Sequence, residues 1–225
     1  MNKKSLLLLL LSLSSTICLL AQSTTDTQLW LGLSVKKPLS NGFSITGQYR
    51  ARRTDNISTT FKGSYFYLNV DKKINKIFNI EAGYRLSIID NLLYNRYAMG
   101  IEAQVKAGNH KFILRPMVQY QKLASSADIE TSNNSKSYFR PRLTWKTDFT
   151  ERIEFYASLE PFYKIDNNIN VNWWQNTVGF KYETIKNLKL NPYFIWQPDY
   201  THRELRTNYI LGLDIELNLK KQKNY

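Results

Sequence analysis

Arginine recurs at alternate positions in this sequence, most clearly at Arg50 and Arg52 and again at Arg140 and Arg142. Alternate residues of a β-strand point to the same face, so a strand would gather these guanidinium groups on one surface. Guanidinium groups form bidentate hydrogen bonds with carboxylates and other oxyanions. The spacing therefore predicts a face that attracts anions or pairs with acidic residues. The candidate residues for this face are Arg50, Arg52, Glu81, Arg85, Arg96, Glu102, Arg115, Arg140, Arg142, Glu154, Glu160 and Lys181.

Catalytic chemistry has less support in the sequence. His202 lies close to Asp199 and Glu204, and a histidine beside a carboxylate can activate a nucleophile. No serine lies nearby in sequence, and no nucleophile motif, metal-spaced histidine pair, cysteine pair or Gly-rich phosphate loop occurs. We therefore predict no enzyme, no cofactor and no metal site. A lipid hydrolase or acyltransferase that uses His202 is kept as an alternative.

The charged faces belong to segments with a two-residue period. The clearest run, residues 43–53, places apolar side chains on one face and Arg50 and Arg52 on the other. Eleven such runs of about ten residues occur between Gln28 and Lys220, separated by clusters of Asn, Asp, Gly, Ser or Lys. Strands of this length can cross a bilayer when they are tilted.

The connections between these runs predict a transmembrane β-barrel. Short turns such as Pro38–Gly42 and Ala107–His110 alternate with longer polar connections such as Ala124–Ser137 and Pro198–Thr207. Transmembrane barrels have short turns at one end, longer loops at the other, and in bacteria an even number of strands. The sequence therefore predicts an all-β fold, a single antiparallel up-and-down barrel of about twelve strands, with ten as the alternative.

The apolar face of the runs is predicted to contact lipid. Aromatic residues bracket aliphatic ones, as Phe112 and Tyr120 bracket Leu114 and Val118, which is typical of the two aromatic girdles of such barrels. A soluble β-sandwich with cross-strand aromatic pairs is the alternative. Because proline cannot donate a ladder hydrogen bond, we expect bulges where it interrupts this face. The prolines concerned are Pro116, Pro141, Pro161 and Pro192.

The charged face would then line the lumen, where two interpretations stay open. Barrels of about eight strands have interiors that side chains can fill, and about sixteen strands are needed for a broad aqueous pore. In the first interpretation the acidic and basic residues pair across the lumen and plug it. In the second, the excess of arginine and lysine lines a narrow channel that prefers anions.

The N-terminus predicts export. Two lysines and an apolar run, Leu6–Leu20, precede the small residue Ala21, which is the pattern of a secretory signal peptide. We predict a cleaved signal peptide at residues 1–21 and one barrel domain at residues 22–225. An uncleaved anchor helix and lipid attachment at Cys18 are the alternatives.

The composition is basic, with 31 Lys and Arg against 18 Asp and Glu and a formal net charge of +13. The basic residues are spread through strands and turns rather than gathered in a block, and an exported chain does not meet cytosolic nucleic acid. We therefore predict no nucleic-acid partner. The expected partners are outer-membrane lipid, the barrel-assembly machinery and a small anionic solute.

Five short segments carry a resemblance to a known family: Leu20–Gln22, Leu29–Gly32, Tyr49–Arg53, Gly83–Arg85 and Asn208–Leu213. Together they resemble an uncharacterised family of Gram-negative outer-membrane barrels, catalogued as domain of unknown function 2490. The resemblance covers essentially the whole mature chain. It implies a barrel in the Gram-negative outer membrane, and it transfers no site residues because the family has no established activity.

These observations together predict an integral outer-membrane barrel without enzymatic activity. Of the two interpretations of the lumen, the charge-paired plug is favoured. A narrow, anion-leaning channel with a charge-paired lumen is kept as a function, and the physiological role is left open. A structural or binding barrel that presents the connection Ala124–Ser137 is the alternative.

Overall fold

The computed structural model describes residues 24–58, 61–90, 92–125, 135–165, 170–201 and 206–219. The predicted signal peptide, His202 and most of the connection Ala124–Ser137 lie outside the described residues. In the described part of the chain, no helix is long and apolar enough to cross a membrane.

The described residues form thirteen strands in one sheet. The strands are β1 (Thr24–Pro38), β2 (Phe43–Arg53), β3 (Phe61–Lys73), β4 (Phe78–Ile89), β5 (Leu92–Ala107), β6 (His110–Arg115), β7 (Met117–Ser125), β8 (Ser135–Phe139), β9 (Arg142–Thr150), β10 (Ile153–Lys164), β11 (Asn170–Ile185), β12 (Leu188–Asp199) and β13 (Arg206–Asn218). A 3₁₀ turn at Ser40–Gly42 connects β1 to β2.

The sheet closes on itself. Antiparallel pairing runs from β1 through β5 and from β10 through β13. The last strand, β13, then pairs with β1 in parallel, with Thr24 opposite Arg206 and Lys36 opposite Asn218. Closure leaves no free sheet edge, which is the condition for a β-structure to cross lipid.

Two pairs of strands each occupy one position around the wall. β6 and β7 lie end to end along β5, and β8 and β9 lie end to end along β10. The backbones still pair where the two breaks face each other. Met117 donates its N–H to the Arg140 carbonyl at 3.2 Å, and Arg140 donates its N–H to the Met117 carbonyl at 2.8 Å. The described residues thus place eleven strand positions around the barrel.

The described residues give eleven strand positions, where the sequence predicts about twelve strands with ten as the alternative. An even count is required only when every neighbouring pair is antiparallel. The parallel seam between β1 and β13 removes that requirement. The eleven alternating runs in the sequence therefore correspond to the eleven strand positions, and the up-and-down order is antiparallel everywhere except at this seam.

Proline explains the two breaks. Pro116 separates β6 from β7, and Pro141 lies in the gap between β8 and β9. The register between β10 and β11 shifts one residue beyond Pro161, between Phe162 and Tyr163. These three irregularities agree with the expected bulges. Pro192 stays within the regular ladder of β12, opposite Leu213.

The outer surface of the barrel is apolar. Met99 and Val105 are 60% and 63% exposed, far more than apolar residues in the core of a water-soluble protein. Exposed aromatic side chains lie near both ends of the strands, which is the arrangement of the girdles at the two membrane interfaces. They include Phe43, Phe61, Phe78, Tyr97, Phe112, Tyr120, Phe149, Phe180 and Trp196.

The inner surface is mostly polar but contains one apolar cluster. Trp30, Tyr193, Ile195 and Ile210 are buried together on β1, β12 and β13. The Tyr193 ring lies over Gly212 of the neighbouring strand, where a Cβ atom would overlap the ring. Side chains therefore fill part of the lumen, as expected for a barrel of this size.

The two ends of the barrel differ. We call the end that carries the turns after β1, β3, β5, β9 and β11 the short-turn end. Its turns use residues that tolerate positive φ, including Asn41, Gly42, Gly108 and Asn187. We call the opposite end the long-connection end, because it carries the residues between β7 and β8, β10 and β11, and β12 and β13.

Candidate functional site

A cavity of about 870 Å³ occupies the lumen from mid-barrel to the long-connection end. Nine basic residues line it, against three acidic ones. The basic residues are Arg50, Arg52, Lys62, Arg85, Arg96, Arg115, Arg140, Arg142 and Arg206, and the acidic residues are Asp26, Asp55 and Asp199. The lining residues carry a formal excess of six positive charges, and three further carboxylates, those of Glu81, Glu160 and Asp214, pair with four of these arginines.

The structure brings the predicted charged residues together in the lumen at two levels. The seven predicted arginines line the cavity. Glu160 lies at mid-barrel, and the other predicted residues lie nearer the short-turn end. Those residues are Glu81, Glu102, Glu154 and Lys181.

Glu160 is the centre of an ion-pair cluster at mid-barrel. Its side chain is only 2% exposed. One carboxylate oxygen, Oε2, accepts hydrogen bonds from Nε and Nη2 of Arg142 at 2.9 and 2.6 Å. The other, Oε1, accepts from Arg140 at 2.9 Å and from Arg115 at 3.2 Å. Because Arg115 also contacts Glu81 at 3.1 Å, one network joins strands from β4 to β10.

Further ion pairs fill the lumen below the cavity. Arg50 contacts Asp214 at 2.6 Å, and four more pairs lie nearer the short-turn end. These pairs are Lys181 with Glu216 at 2.7 Å, Lys146 with Glu154 at 3.1 Å, Lys36 with Asp71 at 3.5 Å, and Lys189 with Glu183 at 3.8 Å. Within the described residues, Glu102 has no ion pair. Acidic residues thus neutralise much of the basic charge at this level.

Three arginines in the cavity wall have no carboxylate partner among the described residues: Arg52, Arg85 and Arg96. Their hydrogen-bond acceptors are neutral. Arg52 and Arg85 donate to the hydroxyl of Tyr67 at 3.4 and 3.3 Å. Arg96 donates twice to Oε1 of Gln121, at 2.9 and 2.6 Å, and Arg85 donates to the same oxygen at 3.4 Å. Their positive charge is therefore available to ions in the cavity.

Aromatic rings hold two of these guanidinium groups, those of Arg52 and Arg85, in place. The guanidinium carbon of Arg52 lies 3.6 Å from the ring centroid of Trp30 and 3.9 Å from that of Tyr65. The corresponding carbon of Arg85 lies 5.2 Å from the Tyr65 centroid and 5.4 Å from that of Tyr67. Cation–π contacts of this kind stabilise a guanidinium group without neutralising its charge.

Sequence reasoning missed these inward-facing aromatic residues and Gln121. The signal was present, because Tyr65 and Tyr67 alternate with the exposed Phe66 and Leu68 along β3. The aromatic residues were all interpreted as girdle residues, but a girdle explains only the rings that point outward from the barrel. Gln121 follows the same alternation, two residues after the buried Gln119.

The groups in the cavity wall are suited to attracting and binding anions. In the part of the chain that the structure describes, no group of three His, Cys, Asp or Glu residues could hold a metal ion. Guanidinium, amide and phenol groups dominate the cavity wall. Such groups attract anions and donate hydrogen bonds to them.

A closed sheet with an apolar outer surface, aromatic girdles and a charged lumen defines a membrane-spanning β-barrel. The sequence also identifies the family to which this barrel belongs. The chain belongs to the family described as "Protein of unknown function (DUF2490)", whose family model matches residues 27–208.

Comparison with solved structures finds similar chains at low sequence identity. One is titled "Bacterial polysaccharide outer membrane secretin", with a TM-score of 0.48, 10% identity, and coverage of 76% of this chain and 73% of that chain. Another is the crystal structure of OccK8 (OprE) from Pseudomonas aeruginosa, with a TM-score of 0.37, 11% identity, and coverage of 76% and 57%. No curated protein matches the sequence.

Proposed function

We propose that this protein is a narrow, anion-leaning channel of the Gram-negative outer membrane, with a small anionic solute as its cargo. The observation that supports this function is the excess of basic residues, nine against three, in the wall of the lumen cavity. A charged cleft between walls of low dielectric constant concentrates counter-ions. Rings of arginine and lysine select anions in other pores by the same physics.

The ion pairs at mid-barrel are the constriction of this proposed channel. Arg115, Arg140 and Arg142 surround Glu160, and Arg115 also contacts Glu81, so three guanidinium groups face two carboxylates at this level. Anions that reach the cavity therefore meet donors along the wall down to this level. The residues that act in this function bind and orient ions, and no enzymatic step is part of it.

Single-channel recording tests whether these arginines conduct anions. We expect the refolded protein to give a small chloride conductance in a planar bilayer. The double variant Arg52→Gln/Arg85→Gln is expected to lower that conductance about twofold or more at low ionic strength, because it removes two uncompensated charges. The difference should shrink at about 1 M salt, where the screening length is about 3 Å.

Arg53→Gln is the matched control for this experiment. Arg53 neighbours Arg52 in sequence, but its side chain is exposed on the outer surface, so its loss should leave the conductance unchanged. A silent wild-type protein, or equal conductance in the double variant and the wild type, would contradict the proposed channel.

We place the long-connection end at the outer surface of the cell, because longer loops face outward in bacterial barrels. Outer-membrane lipid would then surround the apolar belt, and the barrel-assembly machinery would insert the chain. Cysteine labelling tests the orientation. Tyr200 is exposed at the long-connection end and Glu151 is exposed at the short-turn end. Cys18 is the only other cysteine in either variant.

A membrane-impermeant maleimide is expected to label Tyr200→Cys on intact cells. It should label Glu151→Cys only after the outer membrane is permeabilised, and the unsubstituted protein gives the background from Cys18. Labelling of Glu151→Cys but not Tyr200→Cys on intact cells would reverse the orientation.

A further inference from the structure

The three arginines without carboxylate partners form a distinct group within the lumen. Arg52, Arg85 and Arg96 come from β2, β4 and β5 and line the same cavity. We propose that they form a binding site for a tetrahedral oxyanion, and that a phosphate group is the ligand. The inference deepens the proposed function, since it gives the small anionic solute a chemical class.

The hydrogen bonds of the three arginines leave donors available. The Tyr67 hydroxyl and the Gln121 carbonyl oxygen are their neutral acceptors, and a guanidinium group carries more N–H donors than these contacts use. Nε of Arg52 and Nε of Arg85 are buried and have no hydrogen-bond partner among the described residues. These two Nε atoms are shielded from the cavity, so an oxyanion would accept from the remaining Nη donors of the three arginines.

The site is also held rigidly. Arg52 lies between the rings of Trp30 and Tyr65 at 3.6 and 3.9 Å, and Arg96 is fixed by two hydrogen bonds to Gln121. Ring stacking covers the faces of the Arg52 guanidinium and leaves the donors at its edge. Little side-chain entropy is then lost when a ligand binds.

Charge and geometry select the ligand. Three guanidinium groups that have no carboxylate partner among the described residues favour a dianion over a monoanion. Acetate carries one charge on two coplanar oxygens, whereas a phosphate group carries up to two charges and presents three or more oxygens in three dimensions. Chloride offers neither the second charge nor the fork geometry. The site should therefore prefer phosphate to acetate and to chloride.

Isothermal titration calorimetry of the refolded protein in detergent tests this preference. Inorganic phosphate is expected to bind about tenfold or more tightly than acetate, and chloride more weakly still. Arg85→Gln and Arg96→Gln should each weaken phosphate binding about tenfold or more, since each removes charge-assisted hydrogen bonds. Arg96→Lys keeps the charge but loses the fork, and it should also weaken binding. Arg53→Gln, on the outer surface, should bind as the wild type does.

Phosphate and acetate of equal affinity for the wild type would overturn the site, and this comparison needs no variant. Unchanged phosphate binding in folded Arg85→Gln and Arg96→Gln would overturn it as well. Glucose 6-phosphate, titrated in parallel, distinguishes the two sources of the ligand. Tighter binding than inorganic phosphate assigns a phosphate monoester, and weaker binding assigns free phosphate.

The same preparation separates this site from the proposed channel. If the protein binds phosphate but carries no current, the binding site is supported and the channel is refuted. If it carries an anion current but does not prefer phosphate in calorimetry, the channel is supported and the binding site is refuted.

Discussion

Replacing Glu160 with glutamine is expected to destabilise the barrel by about 3–5 kcal/mol. The carboxylate is almost completely buried and accepts hydrogen bonds from Arg115, Arg140 and Arg142. Glutamine keeps the size of the side chain but removes the charge, so three guanidinium groups would repel one another at mid-barrel. Removing one partner of a buried ion pair costs this much because the remaining charge is left uncompensated. Denaturant unfolding of the refolded protein, followed by tryptophan fluorescence, measures the free energy of unfolding.

Glu154→Gln is the matched control for this measurement. Glu154 lies on the same strand and also faces the lumen, but it pairs with one lysine, Lys146, at 3.1 Å, and its side chain is 30% exposed. Partly exposed pairs of this kind contribute at most about 1 kcal/mol. Equal losses for the two variants would show that the cluster around Glu160 has no special role in stability.

Gly212→Ala is expected to destabilise the barrel by about 1–3 kcal/mol, the usual cost of overpacking. A Cβ atom at Gly212 would overlap the ring of Tyr193. That ring has little room to move, because it is packed in the lumen with Trp30, Ile195 and Ile210. The temperature at which the folded, fast-migrating band on a gel is lost should therefore fall in this variant.

Gly47→Ala tests whether the effect belongs to the lumen. Gly47 lies on β2, and a Cβ atom there would meet no other atom within 4 Å. The same addition of one methyl group should leave the transition temperature unchanged. A similar decrease in both variants would mean that a methyl group on either strand destabilises the sheet, and that the Tyr193 contact has no special role, because the reduced backbone freedom of alanine would by itself raise stability.

The alternation in the sequence is sufficient to predict most of the fold, because a closed sheet in lipid leaves few ways to satisfy the backbone. Each run that alternates apolar and polar residues became a strand position, and Pro116 and Pro141 marked the breaks in two of them. The seam was not predictable from the pattern. The side chains of β1 and β13 alternate in the same way whether the two strands run parallel or antiparallel.

The candidate site was predictable as a set of residues and not as a set of contacts. Alternation places Arg52, Arg85 and Glu160 in the lumen, because a strand has two faces and one of them meets lipid. Which arginine pairs with a carboxylate depends on register and on distances across the lumen, which the sequence does not give. The stacking of Arg52 between two rings also depends on register, because Trp30 and Tyr65 lie on β1 and β3, the strands on either side of β2.

The most direct test of the proposed function is the reversal potential of the wild-type protein in a planar bilayer under a potassium chloride gradient. A lumen with nine basic and three acidic residues around its cavity should favour chloride over potassium. We expect a zero-current voltage displaced toward the equilibrium potential of chloride. A displacement toward the equilibrium potential of potassium would contradict the proposed anion preference.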